Sequence, residues 1–193
     1  TPLYSSAASD VYKRQQVMGV YPLLSDETCW FLAADFDKKT WQDDVSSFVE
    51  TCKLNGVPVA IERSRSGNGA HAWFFFASPV AASAARKLGC FLITETMGRR
   101  HQLSMESYDR LFPNQDTLPK GGFGNLIALP LQRQARDAGN SIFVDCGFRA
   151  WPDQWEFLAG IRRLEASFVL ALADEASRRG QVLGVRKSDS RDD

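Results

Sequence analysis

Two aspartates one residue apart, Asp35 and Asp37, end the apolar run "FLAADFDKK" at residues 31–39. An unpaired carboxylate at the end of a buried strand is costly, so the pair calls for a counter-charge. On a strand, residues i and i+2 face the same side. Both carboxylates would then share one face, with Phe36 on the other, and divalent cations that prefer oxygen ligands would balance them. Two such ions about 4 Å apart can activate an attacking hydroxyl, orient an in-line displacement at phosphorus and neutralise a pyrophosphate leaving group. Asp116 is the expected third carboxylate, with Asp145 in "SIFVDCGF" as its competitor. Lys38 and Lys39 read as residues flanking the next helix in preference to anion ligands.

Two further stretches carry polar groups that suit the same chemistry. In "SRSGNGAHAWFFF", Gly67, Asn68 and Gly69 form a turn and His71 opens the strand that follows. Backbone N–H groups of such a turn, with the Ser66 hydroxyl and His71, make a cradle for phosphate oxygens, and Arg63 or Arg65 would add charge. A plain hairpin loop accounts for the same residues. In "FPNQDTLPKGGFGNLIALPLQ", Asp116 precedes a turn of Lys120, Gly121, Gly122 and Gly124, which permits close backbone approach. Asn125 then leads a strand, where it would touch a nucleotide or order the wall of the site; the bland alternative is a surface loop entering the core.

The elements that must position these residues follow from hydrophobic period. "QVMGVYPLL" and "TCWFLAADFD" read as two strands of a hairpin turning at Ser25 to Thr28. Residues 41–54 read as a helix with Trp41, Val45, Phe48, Val49 and Cys52 on one stripe, Thr40 and Asp43 as capping pair, and Asn55 and Gly56 as the stop. "VPVAIERS" and "HAWFFFAS" flank the glycine turn as a second strand pair, and Ser78 and Pro79 are expected to open a helix reaching Gly89 or beyond. Strands are expected within 121–132 and 141–146, then one or two amphipathic helices from Pro152 to Arg179. The class is a mixed α/β (α+β) domain.

Composition narrows the remaining choices. The chain has 193 residues, zero formal net charge and 44% hydrophobic residues, which suits one globular domain. Between residues 60 and 140, ten Lys or Arg stand against six Asp or Glu, so the middle is basic although the sum is neutral. No apolar stretch approaches the roughly 20 residues that span a bilayer, and no membrane partner is expected. Four widely spaced cysteines, with no C-x-x-C pair, read as reduced residues of a cytoplasmic protein. Residues 1–15 are expected to be a foreign or disordered leader, 16–150 a catalytic domain that begins part-way into a longer protein, 151–180 a helical segment, and 181–193 a disordered tail.

"DFD", "SGNGAH", and Asp116 nine residues ahead of "NLIALP" together resemble the three motifs of the archaeo-eukaryotic primase superfamily. More narrowly, "VMGVYPLL", "FLAADFDKKTW", "SGNGAHAWFFF", "KGGFGNLIALPLQ" and "PDQWEFLAGIRRL" resemble the primase domain of TOTE conflict systems, from about Val17 to Leu164. The resemblance implies an RRM-like catalytic sheet with packed helices, dependence on two Mg²⁺ or Mn²⁺ ions, and template-directed addition of nucleotides from nucleoside triphosphates. It implies a DNA or RNA template and primer as partners, with a fused or associated helicase. Carried onto this sequence, Asp35, Asp37 and Asp116 become the metal-binding catalytic acids, and Arg65, Ser66, Gly67, Gly69, His71, Lys120 and Asn125 the nucleotide-binding set. Where a basic residue commonly stands in "NLIALP", this chain has Ala128. The alternative is a non-catalytic RRM-like module that binds nucleic acid or nucleotides through Trp73, Phe74, Phe75 and Phe76; another D-x-D glycosyl or phosphoryl transferase is disfavoured by the other two motifs.

Overall fold

A computed structural model describes residues 17–99, 105–118 and 120–180. The leader expected at 1–15 and the tail expected at 181–193 lie outside the described residues. The chain begins with β1 (Gly19–Val20) and β2 (Thr28–Phe36), followed by α1 (Trp41–Leu54), β3 (Ala60–Arg63), β4 (Ala70–Ala81) and α2 (Ala82–Arg99). Next come β5 (Tyr108–Phe112), β6 (Ile127–Ala128), α3 (Arg133–Asp137), β7 (Ile142–Val144), α4 (Gln154–Gly160) and α5 (Ala166–Arg178).

Five strands form an antiparallel sheet in the order β5-β2-β4-β3-β7. The path β2-α1-β3-β4-α2-β5 with that spatial order is the split βαβ arrangement of RRM-like folds, and the mixed α+β class follows. One face of β2 and β4 is apolar. Phe36 and Phe74 pack on Phe48 of α1, with ring centroids 5.3 and 6.0 Å away. Helix α2 lies so close that a Cβ on Gly89 would come within 3.1 Å of Leu111 and Leu32 side chains. The opposite face carries Asp35 and Ala33 of β2, His71 and Trp73 of β4, and Glu62 of β3, because period 2 sends alternate residues there.

Helix α1 keeps its expected bounds: its five stripe residues are buried, and it stops at Asn55 and Gly56, whose φ of 68° suits glycine. The expected capping pair of Thr40 and Asp43 does not form: the Thr40 side chain makes no cap bond, and its Oγ1 donates to Asp44 Oδ2 at 3.2 Å. The expected hairpin of β1 with β2 does not form. β1 pairs with β6, Gly19 opposite Ala128 and Val20 opposite Ile127, because Pro22, which has no N–H to donate, ends the first strand. Helix α2 starts at Ala82, later than Ser78 and Pro79. Between the pairs Phe31–Phe75 and Cys29–Val80 the register of β4 slips, so Pro79 sits in an irregular stretch where no ladder donor is required. There Leu164 pairs with the strand instead, donating to Phe75 O and accepting from Ala77 N at 2.8 Å each.

The segment after residue 150 forms two helices. Asp153 caps α4 by accepting from Trp155 N and Glu156 N at 2.9 Å, and the Leu164 contact with β4 separates α4 from α5. Leu164, Val169, Ala173 and Ala176 belong to the same buried core as β2 and β4. Cys29, Cys52 and Cys90 are buried free thiols and Cys146 is an exposed one; burial pushes the Cys29 thiol up to about 12. Among the described residues, no helix is long and apolar enough to cross a membrane.

Candidate active site

The polar end of the sheet face is built by two neighbouring strands in fixed register. Asp35 of β2 pairs with His71 of β4, which brings Asp35 Oδ1 to 3.5 Å from His71 Nε2. Burial pushes the Asp35 carboxyl above the usual carboxylate range; His71 and Arg110 oppose the shift, and the charges of Asp109 and Asp37 add to it. Asp37 follows at the exposed strand end, its N–H donating to Ser107 O at 2.7 Å.

Behind His71 lies Glu62, only 2% exposed. Its Oε2 accepts from His71 Nδ1 at 3.0 Å and from Trp73 Nε1 at 2.8 Å, and its Oε1 accepts from Ser141 Oγ at 3.1 Å. A buried carboxylate is tolerable when its lone pairs are filled in this way. Because a carboxylate only accepts, Nδ1 carries its proton and Nε2 is the nitrogen left to face Asp35. Burial alone would lower the His71 imidazole, but the hydrogen bond and charge of Glu62, with the charge of Asp35, outweigh it and the net shift is upward.

The glycine turn is pressed against the aspartate pair. A Cβ on Gly69 would stand 2.4 Å from Phe36 O and 3.3 Å from Asp37 Cα, so only glycine lets the turn reach the end of β2. Gly67 has a φ of 78°, and a Cβ there would meet Asn140 Oδ1 at 2.7 Å. Within the turn, the Ser66 hydroxyl lies 3.1 Å from Ser64 Oγ and accepts from Asn68 N at 3.2 Å, while Arg65 is exposed. The Arg63 guanidinium donates to Gly139 O and Phe148 O at 3.0 and 2.7 Å. Lys38 ties the loop down by donating to Glu106 O at 3.0 Å, and Lys39 is exposed.

Both candidates for a third carboxylate, Asp116 and Asp145, are engaged by arginines. Asp116 forms an ion pair with Arg86 of α2, the helix on the other side of the sheet. Asp145 accepts from Arg149 N, Gly147 N and Arg149 Nε within 3.0 Å, contacts that hold its carboxyl below the usual range, the Arg149 backbone bond first among them. Besides Asp37, the acid whose charge bears on Asp35 is Asp109 of β5. β5 pairs Leu111 with Ala34 but Tyr108 with Phe36, so two residues, Asp109 and Arg110, oppose the single Asp35. A bulge of this kind re-aims side chains. It keeps Leu111 and Tyr108 on the apolar side and sends Asp109 toward the Asp35 end, where Arg110 Nε donates to it at 2.6 Å. Asn125 braces the neighbouring wall, accepting from Asn114 N and donating to Leu111 O at 3.2 Å each, and Lys120 is exposed in the loop before it.

Sequence reasoning missed Asp109 and Glu62. A charged residue inside "VAIERS" signalled Glu62, because the hairpin register places it opposite His71; nothing in "SYDRLF" announces a bulge. Asp35 and Asp37 at the end of β2, with Asp109 near enough for its charge to act on Asp35, are oxygen donors of the kind a hard divalent cation takes. Among the described residues, no three His, Cys, Asp or Glu side chains are gathered tightly enough to hold an ion as they stand. No curated protein matches the chain. A family model described as the archaeo-eukaryotic primase domain of TOTE conflict systems matches residues 1–172. With its RRM-like sheet and acid-lined strand end, the chain belongs to that primase family.

Proposed function

We propose that this domain is a nucleotidyltransferase of the primase-polymerase type, adding nucleotides from nucleoside triphosphates to a growing strand on a DNA or RNA template. The observation that carries the reading is the 3.5 Å contact of Asp35 with His71 on one sheet face, beside a glycine turn packed on the same strand end. Asp35, Asp37 and Asp109 are the acids that would hold Mg²⁺ or Mn²⁺. Bound divalent ions would lower the barrier by making the attacking hydroxyl more acidic and offsetting charge on the leaving pyrophosphate. The 3′-oxygen bonds to the α-phosphorus as the bond to pyrophosphate breaks. The protonated His71 ring through Nε2–H, the Ser66 hydroxyl and the backbone N–H groups of the turn hold the triphosphate, and the exposed Arg65 and Lys120 supply long-range attraction. In this reading the partners are nucleotides, template and primer, with a helicase acting in the same cytoplasmic conflict system.

Primer extension with Mg²⁺ and with Mn²⁺ tests this. Wild type incorporates nucleotides, and Asp35→Asn or Asp37→Asn lowers the rate at least about 100-fold, the scale of lost transition-state charge stabilisation. No incorporation by the folded wild-type chain with either metal overturns the reading. Asp109→Asn is expected to be as damaging, with Asp116→Asn within about threefold of wild type; the reverse order would return the third-acid role to Asp116.

A further inference from the structure

The sheet face that carries Asp35 and His71 opens to solvent a second time. Along β4, His71, Trp73 and Phe75 form a row with successive ring centroids 6.0 Å apart. Trp73 is buried at 2% exposure, whereas Phe75 is half-buried. At Phe75 the row ends in a cavity of about 370 Å³, completed by Trp155, Leu158, Ala159, Ile161 and Arg163. Folding leaves two of these groups unused. Trp155 is 60% exposed and its ring contacts no other aromatic ring among the described residues. Arg163 makes no hydrogen bond or ion pair among them either.

An open indole beside a half-open phenyl ring offers a π-surface on which any base can stack, and a neighbouring guanidinium suits the phosphate of the same nucleotide. An apolar peptide would leave Arg163 without a counter-charge. Four residues separate His71 from Phe75, about 13 Å at ~3.3 Å per strand residue, or about four stacked nucleotides at ~3.4 Å each. We propose that this slot holds a base of the single-stranded template about four nucleotides from the reacting position, stacked on Trp155 and Phe75 with its phosphate on Arg163. That the strand is a template rests on the nucleotidyl-transfer reading; that the slot binds single-stranded nucleic acid does not.

The test is anisotropy titration of a labelled oligo-dT 12-mer with the full chain, in EDTA and without nucleotide, so that binding is read independently of catalysis. Trp155→Ala is expected to weaken binding about 10-fold and Trp155→Phe less than about threefold, since a phenyl ring still stacks. Arg163→Ala is expected to lower the slope of log affinity against log salt by about 0.7. An abasic 12-mer should bind wild type and Trp155→Ala alike. Equal affinity of wild type, Trp155→Ala and Arg163→Ala for oligo-dT overturns the slot, as does an equal loss on the abasic strand. Slot-dependent binding by a chain that never incorporates nucleotides would keep the slot while sinking the nucleotidyl-transfer reading.

Discussion

Glu62 shows how much one side chain can carry. Three donors converge on it in a region closed to water, so Glu62→Ala strands all three and is expected to cost about 3 kcal/mol. Thermal melts should fall by roughly 10 °C for a chain of this size. Glu62→Gln keeps the volume and can still accept from His71 and Trp73, but it removes the negative charge that favours the protonated His71 ring. A KM for nucleotide raised about 10-fold with kcat within threefold is the expected signature of a weakened phosphate ligand. Asp35 gives the opposite sign. Its carboxyl is raised in the folded state, burial first among the causes, so the folded chain binds this proton more tightly than the unfolded one. The penalty is absent below the unfolded value near ~3.9 and grows as pH rises from there toward the raised folded value. At neutral pH in EDTA, Asp35→Asn is therefore expected to melt a few degrees above wild type while losing activity. A lower melting temperature for the variant would contradict the burial argument.

At the level of elements, the candidate site depends on one glycine contact and one irregular strand. Gly69→Ala drives a methyl group against a backbone carbonyl that belongs to the central strand and cannot yield cheaply. A loss of about 2 kcal/mol is expected, with nucleotide affinity falling further than stability explains; denaturant titration and KM measured on the same preparation separate the two. What could be read from the sequence at this scale was whatever depended on near neighbours. The stripe of Trp41, Val45 and Phe48 defined α1, and the glycine turn defined the β3–β4 pair. The pairing of β1 with β6 joins residues more than 100 apart, and no local pattern encodes such a partner. The late start of α2 has the same cause: Pro79 suits a helix opener locally, but Leu164 comes from far along the chain to pair with β4 there. Of the candidate site, the Asp35, Asp37 and His71 end was legible because its spacing is local. The nearness of Asp109 to Asp35 was not, because a bulge is decided by strand pairing.

The whole molecule folds around one core that the C-terminal helices help to close. Val169, Ala173 and Ala176 of α5 are buried with residues of the central strands, and Leu164 bonds to β4. A chain ending at Gly160 would expose that surface and lose more than about 5 kcal/mol, comparable with the entire stability of a typical domain. It is expected to lack the near-ultraviolet circular dichroism of packed aromatics; a cooperative melt within a few degrees of the full chain would show that the helices are dispensable.

β5 lies at the edge of the sheet, where changes are ordinarily tolerated. The extra residue that turns Asp109 toward Asp35 makes this edge sensitive to length more than to composition. Losing or gaining one residue between Ser107 and Phe112 would shift the two-residue alternation, turning the acid away or sending Leu111 into water. A scan of single-residue insertions and deletions should therefore find a short intolerant window in β5, even where most substitutions within β5 leave the fold intact.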